Sequence, residues 1–349
     1  MFFNNVPLVH KLALPIATGQ WYFDYGNDVI YVADDPTGQV VELAVAKQAF
    51  SGAANGVTIQ NLIVEKYASP LNSGAISPYG SNWTIKANEV RLNHGAGIKP
   101  QYGSDNDEQI LSNNVHDNGQ EGIAVGGGNG TLVAYNSVSS NDFAFVLGEN
   151  GGGKIAATTN AQVLNNNYAK NNGVGLWADC GAINTLLSGN TVTNSQLDGI
   201  RYEISHSGMI TNNTLINNAW DKSTQLCSKN SREIVLADSD NTTVSGNTIT
   251  TSCAGITLTQ GSRNLEINDI VIDNVIRYSG SLQLRNPIGG MNPNPPFTLF
   301  DPANANYFDY NVYHFIPSTL ALKNWVYNTT SLSWVNWQAT GQDIHGTAD

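Results

Sequence analysis

Charge is scarce in this sequence, and positive charge is scarcest. Only 13% of the 349 residues are Asp, Glu, Lys or Arg, and 28 acidic residues stand against 16 basic ones. Helical domains carry more Glu, Lys, Arg and Leu, so the shortage points to a turn-rich β protein. A formal net charge of -12 argues against nucleic acid as a partner, since phosphate binding needs clustered Lys and Arg. It also disfavours a polyanionic substrate unless a cation mediates the contact. No apolar run approaches the ~18 residues that would suggest a membrane span. The N-terminal MFFNNVPLVHKLALPI has no basic leader, and Lys11 and Pro15 interrupt its apolar run. It makes a poor signal peptide, and a mature or excised part of a longer secreted chain fits better. Cysteine is rare as well. Cys180, Cys227 and Cys253 lack metal-ligand spacing and are expected to be buried or free thiols. If a bridge forms, Cys227–Cys253 is the candidate, about one repeat apart.

Gly and Asn are abundant instead, and the Asn residues recur. From Val57 onward an aliphatic-x-x-Asn unit repeats: Ile85 to Asn88, Leu111 to Asn114, Val133 to Asn136, Val163 to Asn166, Leu187 to Asn190, Ile210 to Asn213 and Val244 to Asn247. Leu62 and Ile270 take the Asn place at either end. A second polar corner follows at Asn93, Asn118, Asn141, Asn171, Asn194 and Asn217. A third strand then starts at Ile76, Ile98, Ile123, Phe145, Leu176, Ile200, Ile234, Ile256 and Leu282. Three short strands per ~23-residue turn, with tight polar corners, predict an all-β solenoid: a parallel β-helix of about nine or more coils. Asn tolerates the left-handed conformation that a sharp corner needs. With coils ~4.8 Å apart, inward Asn side chains can bond one another, and Asn114, Asn136, Asn166, Asn190 and Asn213 should form one ladder. Leucine-rich and helical repeats are excluded, because neither the Leu-x-x-Leu-x-Leu spine nor a 3.6-residue period is present.

Residues 1–54 read as a β-rich cap, with turns at Gly26-Asn27-Asp28 and Asp35-Pro36-Thr37-Gly38. Residues 55–290 read as the coils, and 291–349 as a loop and closing strands of the same domain. Two coils are overlong, with insertions at Gly148–Lys154 and Trp220–Arg232 that suit walls of a binding site.

The repeats at 57–285 resemble those of the pectin-lyase-like superfamily. GQWYFDYGNDVIYVADDP resembles the lead-in of β-helix glycosidase-type proteins, and LSWVNWQATGQDIHG resembles their closing segment. The resemblance implies a right-handed β-helix and a carbohydrate-active role. It does not choose among hydrolases, lyases, epimerases and tailspikes.

The candidate site lies where one period repeats the next. Leu176-Trp177-Ala178-Asp179 corresponds to Ile200-Arg201-Tyr202-Glu203. If Leu176 and Ile200 point inward, strand alternation puts Trp177, Asp179, Arg201 and Glu203 outward together. Lys99 shares the outward column of Trp177 and Arg201. Asp179 and Glu203 should lie ~4.8 Å apart, so their repulsion keeps a proton on one of them. Glycoside hydrolysis needs that division between a neutral acid and an ionised nucleophile or base. Glu149 falls two coils from Glu203, at ~9.6 Å, near the spacing of inverting enzymes. Trp177 offers a platform for a sugar ring, or packs under an adjacent loop or stacks with Arg201. Lys154, in Glu149-Asn-Gly-Gly-Gly-Lys, is no phosphate loop, but lies beside Asp179. Its glycines let backbone approach a ligand, or form a plain loop. His206 and Asp238 sit at the groove edge. A solvated acidic patch, or Glu203 simply paired with Arg201 or Lys154, would show the same residues.

The expectation is an extracellular enzyme that hydrolyses glycosidic bonds in a polysaccharide without a cofactor. Asp179, Glu203, Glu149, Lys154 and Arg201 form its catalytic set, and Trp177, His206, Lys99 and Asp238 bind substrate. The alternatives are a Ca²⁺-dependent lyase, with Glu149, Asp179 and Glu203 as ligands and Lys154 or Arg201 as base, and a non-catalytic glycan-binding or tailspike-like module.

Overall fold

Left-handed residues at the corners turn three short strands into one coil. The computed structural model describes residues 1–103, 106–144, 150–224, 226–228, 231–279, 288–291, 298–316 and 325–349. Their strands stack into three long sheets of 12, 10 and 11 strands, parallel throughout except where Thr330–Leu332 folds back on Trp325–Tyr327. The fold is therefore the expected all-β parallel β-helix. Tyr307–Asp309 still pairs in parallel with Ile270–Ile272, so the stacking runs on past residue 290.

The ladder of Asn side chains is present, one residue from its expected place in one coil. Asn113, not Asn114, is the inward member: Asn113 is buried and Asn114 is exposed. Asn136 shows the pattern. Its Nδ2 donates to the Ile110 carbonyl at 2.8 Å and to Asn166 Oδ1 at 2.9 Å, and its backbone N–H shares that oxygen at 2.8 Å. The left-handed residue is not the ladder Asn itself but the one before it, as at Ser112, Tyr135 and Asn165. Asn is selected for its amide, which serves corner backbone groups that would otherwise be buried unpaired. The second corner is shifted likewise. Ser195 and Asn218 point inward, while Asn194 and Asn217 carry the positive φ. At the C-terminal end the ladder closes on Asp343, which accepts from Asn311 Nδ2 and Tyr313 Oη at 2.8 Å and from Trp337 Nε1 at 2.9 Å. Trp337 sits on a short helix, Trp334–Gln338, in a stretch that reads as strand in the sequence.

The sheet that matters for function contains Ile123–Gly126, Gly151–Ala156, Val174–Asp179, Ile200–Glu203, Ile234–Ala237 and Ile256–Thr259. Ile123, Gly153, Leu176, Ile200, Ile234 and Ile256 share one inward register. The strand of the long coil is thus Gly151–Ala156, in the place expected for Phe145, which lies outside the described residues. Its glycines answer to the core, not to a ligand. A Cβ on Gly153 would meet the Tyr168 ring at 2.9 Å, so the missing side chains make room for a fully buried tyrosine.

Cys227 and Cys253 form a disulfide, which corrects the expectation of free thiols for that pair and confirms the candidate pairing. It ties the overlong Trp220–Arg232 segment to the next coil. Cys180 is exposed and takes no part in the disulfide. Among the described residues no helix is long and apolar enough to cross a membrane.

Candidate functional site

Strand alternation places an outward column Lys99, Ala124, Lys154, Trp177, Arg201, Val235, Thr257 across the sheet, one position beyond the inward Ile98–Ile123 pair. Lys154 therefore stands on a strand directly beside Trp177, and not in a loop. Two residues further on, Asp179 and Glu203 hold matching positions on neighbouring coils, next to the paired Ala178 and Tyr202.

Each carboxylate meets a cation. Lys154 Nζ lies 3.0 Å from Asp179 Oδ2, and both side chains are almost fully buried. Asp179 Oδ1 also accepts from the Cys180 backbone N–H at 2.7 Å. Glu203 faces Arg201 Nη1 at 3.6 Å and accepts a hydrogen bond from Arg263 Nη2. Arg201 is braced from the other side by Asp198, with Nε to Oδ2 at 2.7 Å. Burial alone would push the Arg201 guanidinium down, but Asp198 and Glu203 together hold it above its ordinary value. The two carboxylates thus belong to a charge-alternating network.

Trp177 is 7% exposed and forms no open platform. Lys154 Nζ lies 4.0 Å from its ring centroid, and Arg201 Cζ 5.3 Å from it. The ring separates the two cations and attracts both. Its Nε1–H is buried without an acceptor.

A groove of about 580 Å³ opens beside this network. Ala124, Gly126 and Ala156 line it together with Lys99, Lys154, Tyr102 and Cys180. Small side chains on two adjacent coils leave the trough, and Tyr102, 73% exposed, stands at its side. Lys99 reaches it while paired to the buried Glu121 at 3.1 Å.

The structure thus brings Asp179, Glu203, Arg201, Lys154 and Trp177 together, with Lys99 in the same column. Glu149 lies outside the described residues. His206 is at a corner, where Nδ1 meets Asp240 Oδ2 at 2.8 Å, away from the column. Asp238 is buried and serves as a local anchor, bound to Arg263 Nε at 3.0 Å and to the Gly261 N–H. Sequence reasoning missed Arg263, Asp198 and Glu121. Asp198 carried a signal, its spacing of three from Arg201 across a strand start. Arg263 carried none, since it reaches Glu203 from 60 residues away.

Two of the three expected Ca²⁺ ligands fall among the described residues. Asp179 and Glu203 are already engaged by Lys154, Arg201 and Arg263, so they do not form a vacant oxygen cage. Among the described residues no group of three acidic, His or Cys side chains is arranged to hold a metal.

Comparison with known proteins places the fold. A search of curated proteins finds no matching relative. Among solved structures, XylC in complex with xylose superposes with a TM-score of 0.60 at 16% identity, covering 84% of this chain and 57% of that one. The Dettilon tailspike protein gives a TM-score of 0.50 at 13% identity, covering 76% and 57%. The chain spans somewhat over half the length of each of these proteins. The family model for the right-handed β-helix region matches residues 73–231 and again 154–281. With more than half of its length so matched and its strands stacked in parallel coils, the chain belongs to the right-handed β-helix family.

Proposed function

We propose that this protein is an extracellular carbohydrate-active enzyme that hydrolyses glycosidic bonds in a polysaccharide. One observation carries the reading: Asp179 and Glu203 stand at matching register on adjacent coils, next to a groove that Lys154 and Cys180 line. Strand spacing puts their backbones ~4.8 Å apart, so both can reach one bond. Glu203 faces two guanidinium groups and Asp179 one ammonium group. On that difference Glu203 takes the nucleophile or base role. The proton that the glycosidic oxygen gains as the C–O bond breaks would come from the Lys154–Asp179 pair, passing from the ammonium through the carboxylate at 3.0 Å. Glu203 would attack the anomeric carbon, or activate the water that does, and water supplies the hydroxyl and proton of the two products. Arg201 and Arg263 orient Glu203, and Lys154 orients Asp179.

Xylose bound to XylC accords with a saccharide ligand on this fold. The Cys227–Cys253 disulfide accords with an oxidising compartment. The occupied state of the carboxylates disfavours the Ca²⁺-dependent lyase. The test is a polysaccharide panel read for new reducing ends and for the absorbance of an unsaturated uronate. Reducing ends without that absorbance support the proposal. An unsaturated product that EDTA abolishes and Ca²⁺ restores would replace it with the lyase.

A further inference from the structure

The cations of the outward column recur at every second coil. Lys99, Lys154 and Arg201 alternate with Ala124 and Trp177 in one unbroken register. At ~4.8 Å per coil, successive cations lie ~9.6 Å apart along the solenoid axis. That is about the length of two pyranose rings in an extended chain. Lys99 and Lys154 line the groove, and Arg201 continues the line beyond Trp177. Ala124 is too small to reach a ligand substituent, and Trp177 is uncharged.

The geometry points to a substrate that carries one anionic group on every second sugar: an acidic polysaccharide with a disaccharide repeat. This deepens the hydrolase reading and rests on it for the site, though not for the chemistry. A lysine has three N–H donors and a guanidinium five, so each cation can keep its carboxylate partner and still donate to a ligand. Charge-assisted bonds from fixed cations then select the spacing of the acidic groups, not merely their number. The overall charge of -12 does not oppose this, because beyond about 10 Å exposed charges are largely screened at ordinary salt while the column acts at contact. A chain charged on every sugar with all its carboxylates on one side would set the intervening ones over Ala124 and over the shielded Trp177, desolvated without a partner. A neutral chain would leave the cations unrewarded.

The test is titration calorimetry with the Asp179→Asn protein and three probes: hyaluronan, with one uronate per disaccharide; polygalacturonate, with one per sugar; and unsubstituted xylan. Reducing-end release by the unaltered protein is followed on the same probes. Hyaluronan should bind tightest, with an affinity that falls as salt rises. Lys99→Gln should weaken that binding about tenfold, the loss of one charge-assisted contact, and Lys99→Arg should retain it. A melting curve for each variant confirms that it is folded. Equal or tighter binding of polygalacturonate or xylan overturns the inference, and if that probe is also hydrolysed the hydrolase reading survives. Hyaluronan bound without release of reducing ends supports the inference and removes the hydrolase. Binding of none of the three overturns the inference, and reducing ends from another polysaccharide would still uphold the enzyme.

Discussion

Lys154 and Asp179 form an ion pair of 3.0 Å on adjacent coils, with both side chains under a tenth exposed. Such a pair is tolerable only while intact, because each charge has left water. Lys154→Met would leave the Asp179 carboxylate without that partner. The expected cost is ~3–5 kcal/mol, measured as the loss of unfolding free energy in denaturant. Adding Asp179→Asn should recover much of it, since the pair acts as one unit. A double mutant as unstable as the sum of the two single ones would refute the coupling.

The ladder makes a prediction about neighbours in sequence. Asn113 donates to the Ile85 carbonyl at 2.8 Å and to Asn136 Oδ1 at 3.0 Å, whereas Asn114 is exposed. Asn113→Leu should destabilise by ~1–3 kcal/mol by leaving buried backbone groups unpaired. Asn114→Leu should change stability by no more than ~0.5 kcal/mol. Thermal melts of the two variants give the ranking, and the reverse order would move the ladder by one residue.

These adjacent residues also show where the sequence stops being legible. The solenoid itself was readable, because inward aliphatics and corner Asn recur once per coil. The register inside a corner was not readable where two candidates stand side by side, as Asn113 and Asn114 do, or Asn217 and Asn218. The strand Gly151–Ala156 was hidden because three glycines read as loop, and only the packed Tyr168 ring explains them. The grouping of Trp177, Asp179, Arg201 and Glu203 followed from alternation alone. The pairing of Glu203 with Arg201 was open to the same reading, but the ion pairs of Arg263 and Glu121 were not, because those residues reach the face from corners, where alternation does not apply. Burial of Trp177 was one of the readings open in the sequence, but alternation could not choose it, since it depends on Lys154 being on a strand.

Stability should fall as pH rises toward neutrality. Glu233 takes a ladder position, accepting from Asn218 N and Nδ2 at 2.9 and 2.7 Å. Burial pushes its carboxyl up to about 7 from an ordinary 4.5. A raised acid favours the folded state fully below the unfolded value and loses that advantage as pH climbs through the folded one. Burial also pushes the buried carboxyls of Glu266 and Asp269 up, so they act in the same sense. Unfolding free energy should therefore drop between pH 4.5 and 7, by about 3 kcal/mol for Glu233 alone. Glu233→Gln should flatten that slope. A variant with an unchanged slope would remove Glu233 as its source.

The proposed chemistry predicts different consequences for the groups that react and the group that orients them. Asp179→Asn and Glu203→Gln keep size and hydrogen bonding but abolish proton transfer and nucleophilic attack. Each should lower turnover by at least ~100-fold while binding largely persists. Arg263 touches Glu203 from a half-exposed corner and does not share the outward column. Arg263→Gln should therefore reduce kcat by a smaller factor, about tenfold, and leave KM nearly unchanged, as expected for a residue that positions another. Steady-state kinetics on the polysaccharide that the panel identifies supplies all three values. Full activity in Glu203→Gln would exclude it as nucleophile or base. A loss in Arg263→Gln equal to that in Glu203→Gln would instead make the guanidinium part of the reacting set, with Glu203 as its support.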